Sequence, residues 1–300
     1  MSDLKSALLP NRGVIAVTGA DAGKLLQGII TADMDSITSD RTSLHTGLLT
    51  PQGKILFDFF IVPHADGYLI ETGKSQIPDL MKRLLMYKLR AAVDITDASA
   101  DYTVAAVWGP NSDAIANRVD CVAFVDPRLR ELGARLLMTM ATDAVLKDLG
   151  ADAASEPSYD ARRVALGVPE AGKDFALGDT FPHEALYDQL GGVSFTKGCF
   201  VGQEVVSRMQ HRGTARKRVV PVNANSQLPD TGTEVRGGSS LIGTLGTVAG
   251  NRALALLRLD RAAEAIRKGE VLKAGDTAIE LHLPAWATFA LPDDGPEAAT

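Results

Sequence analysis

Cys199 stands in the run Lys197-Gly198-Cys199-Phe200-Val201-Gly202-Gln203-Glu204, between two glycines and close to a lysine. The thiolate is the reactive form of cysteine, and neighbouring cationic side chains stabilise it. Lys197 and the basic residues from Arg208 onward are candidate sources of such a field, and the scarcity of aliphatic residues before Cys199 suits an accessible thiol. Cys121, by contrast, lies between Val119 and Phe124 on a strand-like run and reads as a small apolar filler. Two cysteines so far apart are too few for a disulfide framework and read as reduced thiols. The five histidines, His45, His64, His183, His211 and His282, show no ligand-like spacing, so no metal site is assigned and neither a zinc site nor a four-cysteine cluster site can be assembled from one chain.

Charge is distributed unevenly. Residues 197–218 hold Lys197, Arg208, Arg212, Arg216, Lys217 and Arg218 against Glu204 alone, a net of +5 that leaves −11 for the rest of a chain whose total is −6. An anion could dock there; a solvated basic strand and turn is the alternative. Gly19-Ala20-Asp21-Ala22-Gly23-Lys24 suggests a phosphate-binding loop, but three residues rather than four separate its glycines and Leu25 follows the lysine where Ser or Thr is needed. Nucleotide hydrolysis is therefore set aside in favour of a strand-turn-helix with Asp21 as the helix N-cap.

The elements that must position these residues form an α+β pattern. A short strand at 14–17 leads to a helix with Leu25, Leu26 and Ile29 on one face; 54–62 and 68–72 read as a β-hairpin around Gly67. From 75 to 92, Ile77, Leu80, Met81, Leu84, Leu85 and Leu89 recur at helical spacing, with Lys82, Arg83, Lys88 and Arg90 between them. Strands are expected at 102–108 and 121–125, with helices at 111–119, 142–149 and 158–166, and then irregular chain over 167–182. After Arg218 short strands and glycine turns predominate, which reads as a small β-barrel. The expected division is 1–218 in two subdomains meeting near 95–100, a barrel over 219–290, and a disordered tail over 291–300. The 300 residues exceed one usual core, no run of about 20 apolar residues could span a membrane, and the first residues lack a signal-peptide pattern. A cytoplasmic chain with no membrane contact is expected.

The Lys197-Gly198-Cys199-Phe200-Val201-Gly202-Gln203-Glu204 run resembles the signature of the YgfZ-type folate-binding family and its mitochondrial counterpart. Val17-Thr18-Gly19-Ala20-Asp21-Ala22, with Leu26-Gln27-Gly28 and Thr31-Ala32-Asp33, is similar to that family's N-terminal motif, and Lys82-Arg83-Leu84 to Tyr87-Lys88-Leu89-Arg90 to its helix. The resemblance spans roughly 14–218 and implies a multi-domain, aminomethyltransferase-like folate-binding fold with a C-terminal β-barrel. It implies tetrahydrofolate or a one-carbon derivative as cofactor, the thiol chemistry on Cys199 with Lys197, and ligand contacts from Asp58, Gln203, Glu204 and Arg208, where Asp58 would meet the pterin and Arg208 the anionic tail. Two departures from the transferase pattern stand out. Adjacent aspartates are replaced by Phe57-Asp58, and a glutamate for the pterin by Ala165.

Three functional readings follow. The leading one is a tetrahydrofolate-binding accessory protein for iron-sulfur cluster assembly or repair, serving clients such as tRNA-modifying enzymes through Cys199. The second is a folate-dependent aminomethyl or one-carbon transferase, which the two lost carboxylates weaken. The third is a module that binds RNA or a protein through the basic 197–218 segment.

Overall fold

The computed structural model describes residues 3–290 apart from 40, 41, 118, 120, 140, 141 and 214. The chain divides into two compact units, Met1–Tyr159 with Leu190–Val205, and Asp160–Gln189 with Val206–Thr300. In chain order the first unit carries β1 (Lys5–Leu8), β2 (Arg12–Thr18), α1 (Ala22–Ile29), β3 (Leu44–Leu49), β4 (Ile55–His64), β5 (Gly67–Gly73), α2 (Ile77–Lys88) and β6 (Asp94–Asp97). It continues with β7 (Thr103–Trp108), β8 (Val122–Val125), β9 (Ala134–Met138), α3 (Thr142–Asp148) and β10 (Asp152–Ala153).

These strands make two five-stranded sheets, β3-β4-β5-β2-β6 and β10-β1-β7-β9-β8. The near-continuous apolar run of β4 is explained by burial on both faces. Phe57, Phe59 and Ile61 pack with Leu26, Ile29, Leu80 and Leu84 of α1 and α2, whereas Phe60 and Val62 pack against Val104, Trp108 and Leu137 of the second sheet. That sheet's far face, with Val107, Leu136 and Met138, is covered by Val145 and Leu146 of α3. The unit is thus layered helix, sheet, sheet, helix, and each fully buried aliphatic side chain contributes about 1.5–3 kcal/mol.

The helix α4 (Glu156–Leu166) runs across the division between the units, as does α5 (Gln203–Arg212). The second unit then holds β11 (Lys217–Asn223), β12 (Glu234–Gly237), β13 (Ser240–Ala249), β14 (Arg252–Arg258), α6 (Leu259–Arg267), β15 (Leu272–Ala274), β16 (Thr277–Ala278) and β17 (Glu280–Leu281). Its seven strands run β16-β15-β12-β13-β14-β11-β17. Because only Ile279 separates the two outermost strands, the sheet curls into a nearly closed barrel, filled by Val220, Val235, Leu257 and Leu272 and packed by Ala262 and Ala265 of α6. Arg163 is fully buried in this unit, with its guanidinium paired to Asp160, Glu170 and Asp174 and donating to the carbonyl of Val168.

Four expectations need comment. Asp21 makes no side-chain cap at α1; its carboxylate instead accepts from the backbone N–H of Ala92 at 2.8 Å, a partner 71 residues away. Residues expected as a helix at 111–119 form a 3-10 turn over Ser112–Asn117. Leu85 and Leu89, which recur at helical spacing with the other apolar residues of this stretch, are exposed; Ile77, Leu80 and Leu84 are the buried residues of α2. The tail expected at 291–300 lies outside the described residues.

Candidate functional site

The segment carrying Cys199 is tied to the end of α1. Thr31 donates through Oγ1 to the carbonyl of Gly192 at 2.6 Å, and Ser194 returns its N–H to the carbonyl of Thr31 at 2.9 Å. The strongest tie is Lys197, whose ammonium donates to the carbonyls of Gln27 (2.7 Å), Ile30 (2.9 Å) and Ala32 (2.7 Å). Helix C-termini leave carbonyls without partners and carry partial negative charge, so a buried cation from a distant segment satisfies both needs. Burial pulls the Lys197 pKa down from 10.5 to about 8, against the opposing pull of Asp33 and Asp35. Gln27 completes the anchor: its amide donates to Asp33 Oδ1 at 2.8 Å and its Oε1 accepts from the N–H of Met34.

On the other side of Cys199 the chain is held by close packing. Phe200 is buried, and Gly202 adopts φ +80° with its backbone so near the turn after β3 that a Cβ there would sit 2.6 Å from the carbonyl oxygen of Thr50. Gly53, at φ +81°, meets Val205 in the same way. Only glycine combines a left-handed conformation with that approach. Gln203 and Glu204 open α5, where the carboxylate suits the positive helix start, and Gln203 donates its N–H to the carbonyl of Phe200.

Between these anchors Cys199 is exposed. Lys197 does not serve as a free charge beside the thiol, because its ammonium is committed to three carbonyls; it acts as the clamp that fixes the thiol's position. Among the described residues no group of three His, Cys, Asp or Glu side chains could hold a metal ion.

Asp58 lies elsewhere in the first unit. It points between the two sheets, is 5% exposed, and its Oδ2 is 2.8 Å from His45 Nε2. Its carboxylate is thus engaged by the His45 imidazole. Its neighbour Phe57 is part of the helix-covered core, so a second carboxylate at that position would be buried among apolar side chains. Arg208 is exposed on α5, one helical turn beyond Glu204. Ala165 is exposed on α4 and supplies no carboxylate. Of the basic 197–218 segment, Lys197 is clamped and Arg218 is paired with Asp188 at 2.8 Å, which shrinks the field available to an external polyanion.

Comparison with known proteins gives the same layout. Residues 10–130 match the model of the GCVT N-terminal domain, and residues 216–289 that of the CAF17 C-terminal beta-barrel domain. The crystal structure of glycine cleavage system aminomethyltransferase T from Bartonella henselae superposes with a TM-score of 0.75 at 14% identity, over 95% of this chain and 87% of that one. The fold is thus aminomethyltransferase-like. Among curated proteins, the mitochondrial iron-sulfur cluster assembly factor IBA57 homologue of Mycosarcoma maydis is 34% identical over 74% of this chain and 58% of its own length. That of Pyricularia oryzae is 37% identical over 71% and 56%, and that of Neosartorya fischeri 31% identical over 88% and 72%. The chain thus spans little more than half the length of the first two.

The names refine one expectation and correct another. The resemblance to the YgfZ-type family and its mitochondrial counterpart narrows to IBA57 homologues, to which the YgfZ-type family is related. The cytoplasmic expectation is overturned, because these relatives are named mitochondrial; that among the described residues no helix is long and apolar enough to cross a membrane does not bear on compartment. With its aminomethyltransferase-like first part, its C-terminal barrel and a match to such a relative over 88% of its own residues, the chain belongs to the IBA57 family of iron-sulfur cluster assembly factors.

Proposed function

We propose that this protein is an iron-sulfur cluster assembly factor in which Cys199 is the chain's own point of contact with the cluster, the cluster being cargo shared with a second protein. The observation that carries the reading is an exposed thiol held between two rigid anchors, the Lys197 clamp and the Gly202 contact. A thiol so placed can meet a cluster on another protein without rearrangement of its own loop, and its exposure leaves room for the partner's ligands. Iron-sulfur tRNA-modifying enzymes are among the clients on this reading. The test is complementation of a strain lacking the protein, scored by the activity of a cluster enzyme. Cys199→Ala should abolish support, and undiminished support would refute the thiol role.

Tetrahydrofolate or a one-carbon derivative is the small ligand proposed for the same protein, on the strength of the aminomethyltransferase-like fold. Arg208 would hold its anionic tail, with Gln203 and Glu204 on the same helix as secondary contacts; the carboxylate of Asp58, the expected pterin contact, is hydrogen-bonded to His45. When bound, the ligand would supply one-carbon chemistry. Calorimetric titration tests this: Arg208→Ala should weaken binding about tenfold, as loss of one charge-assisted contact does. A wild-type protein that binds no folate would remove this part and leave the thiol reading standing. Aminomethyl transfer is disfavoured by Phe57 and Ala165, and turnover of a lipoyl-bound aminomethyl donor should stay at background.

A further inference from the structure

The helix α2 carries an apolar face that the fold does not cover. Leu85 is 50% exposed, Met86 59% and Leu89 86%, and with Pro78, Met81 and Lys82 the first two line a shallow groove of about 560 Å³. Met81 and Leu85 fall four residues apart and so share one side of the helix, and Leu89 follows at its C-cap. Contiguous exposed apolar surface of this kind marks an interaction site more often than chance. Leu89 is unusual in backbone as well. It ends the helix at φ +47°, a left-handed value that a leucine adopts only at a cost and that glycine normally supplies.

Charge narrows the partner. Lys82, Arg83, Lys88 and Arg90 flank the stripe against Asp79 alone, and among the described residues none of the four cations is in a salt bridge. Several guanidiniums elsewhere are matched with carboxylates, as in Arg135 with Glu71 and Arg163 with Asp174. A net-acidic protein that leaves four cations unmatched around exposed Leu and Met presents an apolar centre with a positive rim. Two such faces would repel, so a second copy is a poor occupant. The stripe has no Trp or Phe of the kind that anchors helices at membrane surfaces.

We propose that this face of α2 docks an acidic segment of a partner protein, two or three of whose apolar side chains fill the Pro78–Met86 groove and cover Leu89 while its carboxylates meet Lys82, Arg83, Lys88 and Arg90. The surface is distinct from the Cys199 loop and does not depend on that thiol's role, although α1, which anchors the loop, packs against α2.

The test is selection of a phage library of random 16-residue peptides on the full chain, followed by affinities of the selected peptides for variants. Peptides of net negative charge bearing Leu, Ile or Phe anchors should be enriched. Their affinity should fall at least tenfold for Leu85→Ser/Leu89→Ser, at least tenfold for Lys82→Glu/Arg90→Glu, and steeply with salt. All four residues are exposed, so the variants should keep the wild-type circular dichroism and Tm; should the leucine pair fail to fold, the charge pair still decides. Enrichment of neutral or basic peptides, no enrichment, or indifference to both variants would overturn the proposal. So would binding to 7:3 phosphatidylcholine:phosphatidylglycerol vesicles without peptide selection, or dimerisation lost in the leucine pair. A chain ending at Ala290 that binds the peptides at least tenfold better would assign the face to the chain's own acidic residues 291–300 instead.

Discussion

The Nζ of Lys197 lies 2.9 Å from the carbonyl oxygen of Ile30, a contact across 167 residues of sequence that ties the cysteine-bearing loop to the end of α1. The same ammonium reaches Gln27 and Ala32, so one side chain satisfies three carbonyls. Lys197→Met should leave all three without a donor and cost about 1–3 kcal/mol in urea unfolding. Lys197→Arg should not restore stability, since a planar guanidinium cannot converge on three oxygens as a tetrahedral ammonium does.

The clamp also gives a pH signature. Burial lowers the folded Lys197 value to about 8, below its ordinary 10.5. Between those values the unfolded chain binds more protons than the folded one, so wild-type stability should rise relative to Lys197→Met as pH goes from 8 towards 10.5, and the difference should be flat below 8. A difference that falls over that window would refute the assignment.

Cys199→Ala separates function from stability. The side chain is exposed, so unfolding free energy should change by less than about 0.5 kcal/mol. Support of a cluster enzyme should be lost in the same variant, and a large fall in stability would mean that the thiol packs rather than reacts.

Gly202→Ala puts a methyl group 2.6 Å from the Thr50 carbonyl at φ +80°. Left-handed strain alone costs about 1–3 kcal/mol, so the denaturation midpoint should drop clearly. Gly198→Ala, whose added Cβ would meet nothing within 4 Å, should be near neutral by comparison.

Arg163→Lys should destabilise the second unit by about 3–5 kcal/mol, because a buried fork contacting Asp160, Glu170 and Asp174 cannot be replaced by a single ammonium without leaving carboxylates unmatched. Thermal unfolding followed by calorimetry would show it.

What the sequence made legible was periodic and local. The β4–β5 hairpin and the position of α2 follow from spacing two and three to four, and the glycine-rich barrel from its turns. Two of the quoted motifs proved to be one object: Gln27, Thr31 and Ala32 receive the loop that Lys197 pins. Nothing in the sequence could announce this, because the acceptors are backbone carbonyls, which every residue type carries. Asp21 failed as a cap for a related reason, its carboxylate being taken by the N–H of Ala92. Leu85 and Leu89 kept helical period with the core yet face outward, since a period identifies a stripe but not how wide the covered part is. The segment read as one positive field is divided by burial, with Lys197 and Arg218 turned inward.

The order in which the units take up the chain has a consequence for synthesis. Residues 190–205 belong to the first unit but follow residues 160–189, which belong to the second. A nascent chain emerging amino end first therefore holds both sheets of the first unit while the carbonyls at the end of α1 still await Lys197. The platform for Cys199 is finished late, so the thiol emerges from the ribosome together with the lysine that fixes it in place.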